Sequence, residues 1–156
     1  MSKLEQYQKI VVSGFLYHQG KVLVIQRSLA ETFLPGFFEL PGGKVDFGED
    51  PSDTLKREFR EEVSLDVSVT GPYRTFSYVS DEGRRHTVEI VYFVRLDSNE
   101  ITVRLSPAHT SYQWVNLEEL DQLQASDEVK QNIRIGFENY RCDDRSDIDP
   151  EPSRPE

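Results

Sequence analysis

The stretch from Gly42 to Leu65 limits the possible folds of this chain more than any other part of the sequence. It opens with a Pro-Gly-Gly break, and Asp50 and Pro51 then supply an N-cap and a first-turn residue for a helix. The apolar side chains that follow recur at four-residue spacing and are Leu55, Phe59 and Val63. We therefore predict a helix that ends near Ser64 and buries one face.

Three glutamates of this helix share another face, because they stand at i, i+3 and i+4: Glu58, Glu61 and Glu62. Like charges at this spacing repel, so their grouping needs a cause. Carboxylates near a Gly-Gly turn make an oxygen-rich pocket that suits Mg²⁺ or Mn²⁺ better than zinc, and bound magnesium recruits phosphates. The alternative is a solvated acidic face, which is common on helices.

The bulk composition favours one globular domain of 156 residues with a 37% apolar share and a net charge of -10. This charge argues against binding to a nucleic acid polymer, which needs a basic surface. No apolar run is long enough for a membrane span, and the N-terminus lacks a signal-peptide core, so a cytoplasmic location is expected. We assign residues 1–141 to the domain and residues 142–156 to an acidic flexible tail, in which Cys142 has no role.

The remaining elements are predicted from apolar runs and turn residues. The predicted strands are Ile10–Tyr17, Lys21–Gln26, Asp66–Ser80, Val88–Leu96 and Ile101–Leu105, and the first two form a hairpin. The predicted helices after the central one are Leu117–Leu120 and Asp127–Tyr140. The pattern of strands and helices indicates one mixed α/β domain.

The spacing within Gly43–Leu65 resembles the signature of the Nudix hydrolase family (MutT-like). That signature is G, five residues, E, seven residues, then R-E-U-x-E-E-x-G-U, where U is a bulky apolar residue. The chain has Gly43, Glu49 and then REFREEVSL from Arg57 to Leu65, with Ser64 in place of the last glycine. Phe59 is also bulkier than the usual aliphatic residue. The resemblance implies the family's α/β/α sandwich around a mixed sheet.

The resemblance also implies roles for individual residues. Glu58, Glu61 and Glu62, helped by a main-chain carbonyl near Gly42, would hold Mg²⁺ or Mn²⁺. A water made more acidic by the cation would attack a phosphorus atom of a diphosphate. The remaining pair of the signature, Glu49 and Arg57, would tie the loop to the helix by a salt bridge.

The general base has several candidates, because relatives often carry a glutamate six residues before the tryptophan, where this chain has Ala108. We take Glu58 and Glu61 as the candidate catalytic residues, with Glu58 as the leading base. Glu89 and His109 are alternatives, although His109 is equally well explained as a loop histidine bonded to backbone.

Four side chains are candidates for substrate binding: Glu89 and His109, already named, and two more, Arg27 and Phe38. Arg27 is a candidate phosphate contact, and a structural salt bridge is an equal alternative. Phe38 is a candidate for stacking on a base, although aromatic residues near a Pro-Gly turn more often belong to the core.

The leading functional hypothesis is hydrolysis of a nucleoside diphosphate derivative, either a nucleoside triphosphate or a sugar nucleotide. The expected partner is a small nucleotide or nucleotide sugar, with neither a nucleic acid polymer nor a membrane involved. A homodimer is kept as an open hypothesis. The alternative function is a nucleotide-binding regulatory module with weak catalysis, which the Ser64 and Ala108 departures favour and the intact glutamates oppose.

Overall fold

A computed structural model describes residues 5–140. The predicted tail over residues 142–156, with Cys142, lies outside the described residues. Within residues 5–140, every helix is too short or too polar to cross a membrane.

The described chain contains seven strands, two α-helices and one 3₁₀ helix. In chain order these are β1 (Tyr7–His18), β2 (Lys21–Arg27), β3 (Phe38–Glu39), β4 (Gly42–Lys44), α1 (Pro51–Val63), β5 (Val67–Ser80), β6 (Arg85–Leu96), β7 (His109–Val115), the 3₁₀ helix (Leu117–Gln122) and α2 (Asp127–Asn139). The sheet order is β3-β2-β1-β6-β5, with β4 paired to β1 and β7 paired to β2. The β1–β6 pairing is parallel and the other pairings are antiparallel, so the sheet is mixed.

The hairpin predicted near the N-terminus is confirmed as β1 and β2. Gln19 and Gly20 connect the strands with φ angles of 49° and 82°. Two successive positive φ angles form the turn type whose twist matches that of the strands it joins.

Strand β1 separates the two layers of the core. Val12 and Leu16 pack in the cluster that contains Leu55 and Phe59 of α1. Phe15, on the opposite face of the strand, packs in the cluster that contains a residue of α2. Because successive strand residues point to opposite faces, one strand supplies both layers. The predicted α/β/α sandwich around a mixed sheet is confirmed.

The central helix begins and ends as the sequence predicts. The Asp50 side chain caps α1 by accepting a hydrogen bond from the Ser52 N–H at 2.9 Å. Ser64 ends the helix at φ 60° and ψ 36°, in the left-handed region. This conformation explains why the signature prefers glycine here, and serine at this position costs about 1 kcal/mol. The Ser64 hydroxyl donates to the Arg104 carbonyl at 3.1 Å.

The prediction of a strand over Ile101–Leu105 is wrong, because this segment pairs with no strand among residues 5–140. Val103 and Leu105 do pack against the core, which accounts for the alternating pattern. The segment bonds to the end of α1 instead: the Arg104 N–H donates to the Val63 carbonyl at 3.0 Å. It therefore satisfies carbonyl groups that a helix end leaves without partners.

A close contact between β1 and α1 explains the unusual Phe59. Gly14 faces α1, and a Cβ atom at Gly14 would lie 2.6 Å from Phe59 Cε2. The ring of Phe59 is fully buried. The large side chain at position 59 therefore fits because position 14 has no side chain.

This contact predicts coupling between positions 14 and 59. Gly14→Ala should lower the free energy of unfolding by about 1–3 kcal/mol, because a well-packed core does not accept an extra methyl group. In a Phe59→Leu background the cost of Gly14→Ala should fall below about 1 kcal/mol. Urea denaturation of the four proteins of this cycle measures both costs.

Gly136→Ala is the control for that cycle, because its Cβ atom would meet Phe15 rather than Phe59, at 2.4 Å. Its cost should be the same with phenylalanine or leucine at position 59. Equal costs of Gly14→Ala in the two backgrounds would show that Phe59 does not occupy the space above Gly14.

Candidate active site

The three glutamates of the α1 face divide into two groups. Arg57 Nη1 lies 3.0 Å from a Glu58 oxygen and 3.3 Å from a Glu61 oxygen. Glu62 turns instead toward β4, where Glu62 Oε1 accepts a hydrogen bond from the Gly42 N–H at 2.8 Å. The side chain of Glu61 is 57% exposed and that of Glu62 is 13% exposed. Helical spacing thus places the three on one face, but their carboxylates point to different partners.

Arg57 is the centre of an ion-pair cluster that joins the loop before α1 to the helix. Its Nε and Nη2 atoms bond the two oxygens of Glu49, each at 2.9 Å, in a bidentate pair. Hydrogen bonds from Arg57 and Thr54 lower the pKa of Glu49 to about 2, and the same pair raises the pKa of Arg57. Asp46 also contacts the guanidinium, at 3.4 Å. The ion pair expected between Glu49 and Arg57 is therefore present, and it holds both side chains in a fixed geometry.

Burial raises the pKa of two glutamates of α1. Loss of water raises the pKa of Glu62 to about 9, and the negative charges of Glu39 and Glu58 add to this effect. Burial is also the largest cause of the raised pKa of Glu58, which Arg57 partly opposes. A bound cation would reverse this penalty, because it favours the ionised form of each carboxylate.

The Gly-Gly turn lets the backbone approach these carboxylates. A Cβ atom at Gly43 would lie 2.4 Å from Glu58 Cδ, and one at Gly42 would lie 2.0 Å from the Val12 carbonyl oxygen. Only glycine fits at either position without a local rearrangement. The glycines therefore let the turn lie close to β1 and to Glu58, and the Gly42 N–H reaches Glu62.

The sequence analysis did not identify Glu39, whose carboxylate lies beside Glu62 and His109. Glu39 Oε1 lies 2.9 Å from His109 Nε2, and Glu62 Oε2 lies 3.6 Å from the same nitrogen. Among residues 5–140, these are the three residues whose potential metal-ligating atoms all lie within 4.8 Å of one another. The available signal was an acidic residue three positions before the Gly-Gly turn, within a stretch predicted as loop and short strand.

His109 does not lie in a loop bonded to backbone, as the alternative interpretation expected. It begins β7 and pairs with Arg27 of β2. Its side chain is 4% exposed. The predicted loop is shorter because the pairing of β7 with β2 extends back to this residue.

A cleft of about 610 Å³ opens beside Glu62 and His109. Its walls come from the first part of β1, from the ends of β2, α1, β5 and β7, from β3, β4 and β6, and from α2. Both carboxylates and cations line it: Lys9, Arg27, Glu39, Lys44, Glu62, Arg85 and Glu89. Within the described residues, Lys9 and Lys44 make no ion pair, so they are available to an anion.

The candidate substrate-binding residues all line this cleft. Arg27 forms ion pairs with Glu39 at 3.3 Å and with Glu31 at 3.5 Å. Phe38 is 7% exposed and also belongs to the core layer of α2. Glu89 accepts a hydrogen bond from the Ser13 hydroxyl at 3.3 Å, and burial raises its pKa to about 7.

The donor set fits a divalent cation. Carboxylate oxygens are the ligands that Mg²⁺ and Mn²⁺ prefer, and here they are crowded, partly buried and next to main chain exposed by glycine. The neighbouring cationic side chains suit phosphate groups. The arrangement can hold a cation and a phosphate chain side by side.

Comparison with known proteins agrees with this geometry. The model of the NUDIX domain matches residues 8–134. The chain is similar to a mouse protein named bis(5'-nucleosyl)-tetraphosphatase [asymmetrical], with 32% identity over 103 residues that span 63% of this chain and 68% of the relative. It is also similar to the Escherichia coli nucleoside triphosphatase NudI, with 24% identity over 137 residues that span 82% of this chain and 96% of the relative.

Among solved structures, the fold is similar to that of a MutT protein from Methanosarcina mazei Go1. The TM-score is 0.75 at 24% sequence identity, over 89% of this chain and 100% of that protein. The family model covers most of the chain and contains the whole Gly43–Leu65 signature. By its signature, its fold and this match, the chain belongs to the NUDIX family and is a Nudix hydrolase.

Proposed function

We propose that this hydrolase cleaves a diphosphate bond in a nucleoside diphosphate derivative with the help of Mg²⁺ or Mn²⁺. The observation that carries the proposal is the cleft beside α1, where the partly buried carboxylate of Glu62 and several cationic side chains line one space of about 610 Å³. Acidic groups suit the metal ion, and the cations suit the phosphate chain that the metal ion also contacts.

We assign the metal-ligand role to Glu58, Glu61 and Glu62, with the main chain at Gly42. A bound divalent cation would offset the charge of the phosphate oxygens and make a water more acidic. Glu58 is the leading candidate for accepting the proton, because its carboxylate is held by Arg57 beside the Gly-Gly turn. Glu49 braces Arg57 and so acts on the site through it.

In the proposed reaction, one phosphorus–oxygen bond forms and another breaks. A water oxygen forms a bond to one phosphorus atom, and the bridging oxygen on the other side of that atom leaves with the electron pair. The proton of the water passes to the base. Arg27, Lys9 and Lys44 stabilise the negative charge of the phosphate groups, since all three line the cleft.

A nucleoside triphosphate is the leading substrate class, and a sugar nucleotide is the second. The similarity to a protein named nucleoside triphosphatase supports this order, because it spans 82% of this chain and 96% of that relative. The name of the mouse relative adds dinucleoside tetraphosphates to the compounds that need testing. Phe38 and Glu89, which line the cleft, are proposed to contact the base or the second group.

Substitution of the glutamates tests the proposal. Glu61→Gln and Glu62→Gln should each lower metal-dependent turnover by about 100-fold or more, because an amide cannot replace the charge of a ligand carboxylate. The assay is product chromatography with nucleoside triphosphates, dinucleoside tetraphosphates and sugar nucleotides, with Mg²⁺ or Mn²⁺ added. The position of each phosphate in the products locates the bond that is cleaved.

Glu118→Gln is the matched control, because Glu118 is exposed on the 3₁₀ helix outside the cleft. It should leave turnover unchanged. Full activity in either Glu61→Gln or Glu62→Gln would remove the ligand assignment. Thermal stabilisation by nucleotides without any turnover would favour a nucleotide-binding regulatory module instead.

The buried Glu89 predicts a pH-dependent stability. Its pKa is about 7 in the folded protein against an ordinary value of 4.5, so the folded state binds this proton more tightly than the unfolded state. Stability from this group is therefore greatest at low pH and falls as the pH rises from about 4.5 to about 7. Glu89→Gln should gain about 2 kcal/mol over the wild type between pH 5 and pH 8.

Urea denaturation of both proteins at pH 5 and pH 8, without added metal, measures this change. Contributions of other titrating groups cancel in the difference between the two proteins. Glu118→Gln should show the same pH dependence as the wild type. If the stability difference between Glu89→Gln and the wild type is the same at both pH values, the carboxylate of Glu89 is not desolvated.

A further inference from the structure

Three side chains from separate parts of the sequence meet beside the cleft. Glu39 belongs to β3, His109 to β7 and Glu62 to α1. Strand β2 brings the first two together, because β3 and β7 both pair with it, at Ile25 and Arg27 respectively. Each of the three offers one potential ligand atom, and these atoms lie within 4.8 Å of one another.

The imidazole of His109 directs one nitrogen at both carboxylates. Nε2 lies 2.9 Å from Glu39 Oε1 and 3.6 Å from Glu62 Oε2. The side chain is 4% exposed, and its buried Nδ1 has no hydrogen-bond partner among the described residues. A neutral ring with its proton on Nδ1 presents the lone pair of Nε2 to a cation, and this tautomer leaves the buried Nδ1–H without an acceptor among the described residues.

Glu39 can turn to a cation without leaving Arg27 unpaired. Arg27 contacts Glu39 at 3.3 Å, but its Nε also donates to the Phe33 carbonyl at 2.8 Å and its Nη2 lies 3.5 Å from Glu31. The guanidinium would thus stay in place beside the site. Ala108 offers no side-chain ligand and residues 105–112 contain no carboxylate, so His109 is the residue of this stretch that can contribute a strong metal ligand.

We propose that Glu39, Glu62 and His109 form a mixed nitrogen and oxygen site that binds a divalent transition-metal ion in preference to Mg²⁺. Two carboxylates and a neutral imidazole match the charge of such an ion. Mg²⁺ prefers oxygen ligands, whereas imidazole is a good ligand for transition metals. The inference deepens the proposed function and rests on it, because Glu62 is shared with the proposed catalytic metal site.

Electron spin echo envelope modulation (ESEEM) spectroscopy of the whole chain with one equivalent of Mn²⁺ tests the ligand set directly. A coordinated imidazole gives ¹⁴N modulations of the Mn²⁺ echo, and a purely structural histidine gives none. We expect these modulations in the wild type, their loss in His109→Gln and their retention in His86→Gln. His86 is the matched control because it lies at the start of β6 and bonds Gln8, away from the three ligands.

Metal affinity supplies a second measurement. His109→Gln should weaken binding of Ni²⁺, a divalent ion that favours imidazole, by about tenfold or more, while Mg²⁺ binding changes by less than about threefold. Glu39→Gln, which keeps the shape of the side chain, should weaken Mn²⁺ binding by about tenfold and retain the ¹⁴N modulations. Circular dichroism establishes that each variant is folded before titration.

The outcomes separate this inference from the proposed function. Bound Mn²⁺ without ¹⁴N modulations in the wild type, or with modulations that persist in His109→Gln, would overturn the ligand set. If Glu62→Gln still abolished hydrolysis in that case, the proposed function would stand. If neither Mn²⁺ nor Mg²⁺ bound or supported hydrolysis by the wild type, the proposed function and this inference would both fail.

Discussion

The guanidinium of Arg57 lies among four carboxylates, those of Asp46, Glu49, Glu58 and Glu61, and the arrangement of the candidate active site depends on it. Without this cation, the loop before α1 and the face of the helix would repel each other. The bidentate pair with Glu49 fixes the guanidinium, and the remaining nitrogen then orders Glu58. An acidic site is thereby held together before any metal ion or substrate binds.

The cleft explains how a chain with a net charge of -10 can accept an anionic substrate. Carboxylates gather where α1 meets the Gly-Gly turn, while Lys9, Lys44 and Arg85 line other parts of the same cleft. Lys9 and Arg85 lie on adjacent parallel strands, and Lys44 lies on the strand that pairs with the other edge of β1. The local distribution of charge, rather than its sum, therefore decides what the protein can bind.

Much of the fold was predictable because it follows from local patterns. The hairpin of β1 and β2, the caps of α1 and its buried face all follow from turn residues and from apolar spacing. Ile101–Leu105 shows the limit of such patterns, since its alternating side chains are buried as in a strand while Arg104 and Ser106 bond to the end of a helix. Side-chain periodicity reports burial, and it does not say where the backbone hydrogen bonds go.

The sequence by itself determined the family, the helix and the face that carries Glu58, Glu61 and Glu62, because these depend on residues close together along the chain. Tertiary structure alone decided that Glu62 separates from the other two and faces His109 and Glu39. It also assigned Phe59 its partner, Gly14. These contacts join residues far apart in the sequence, and the pairing of strands with β1 and β2, together with the packing of α1 on the sheet, brings them within reach.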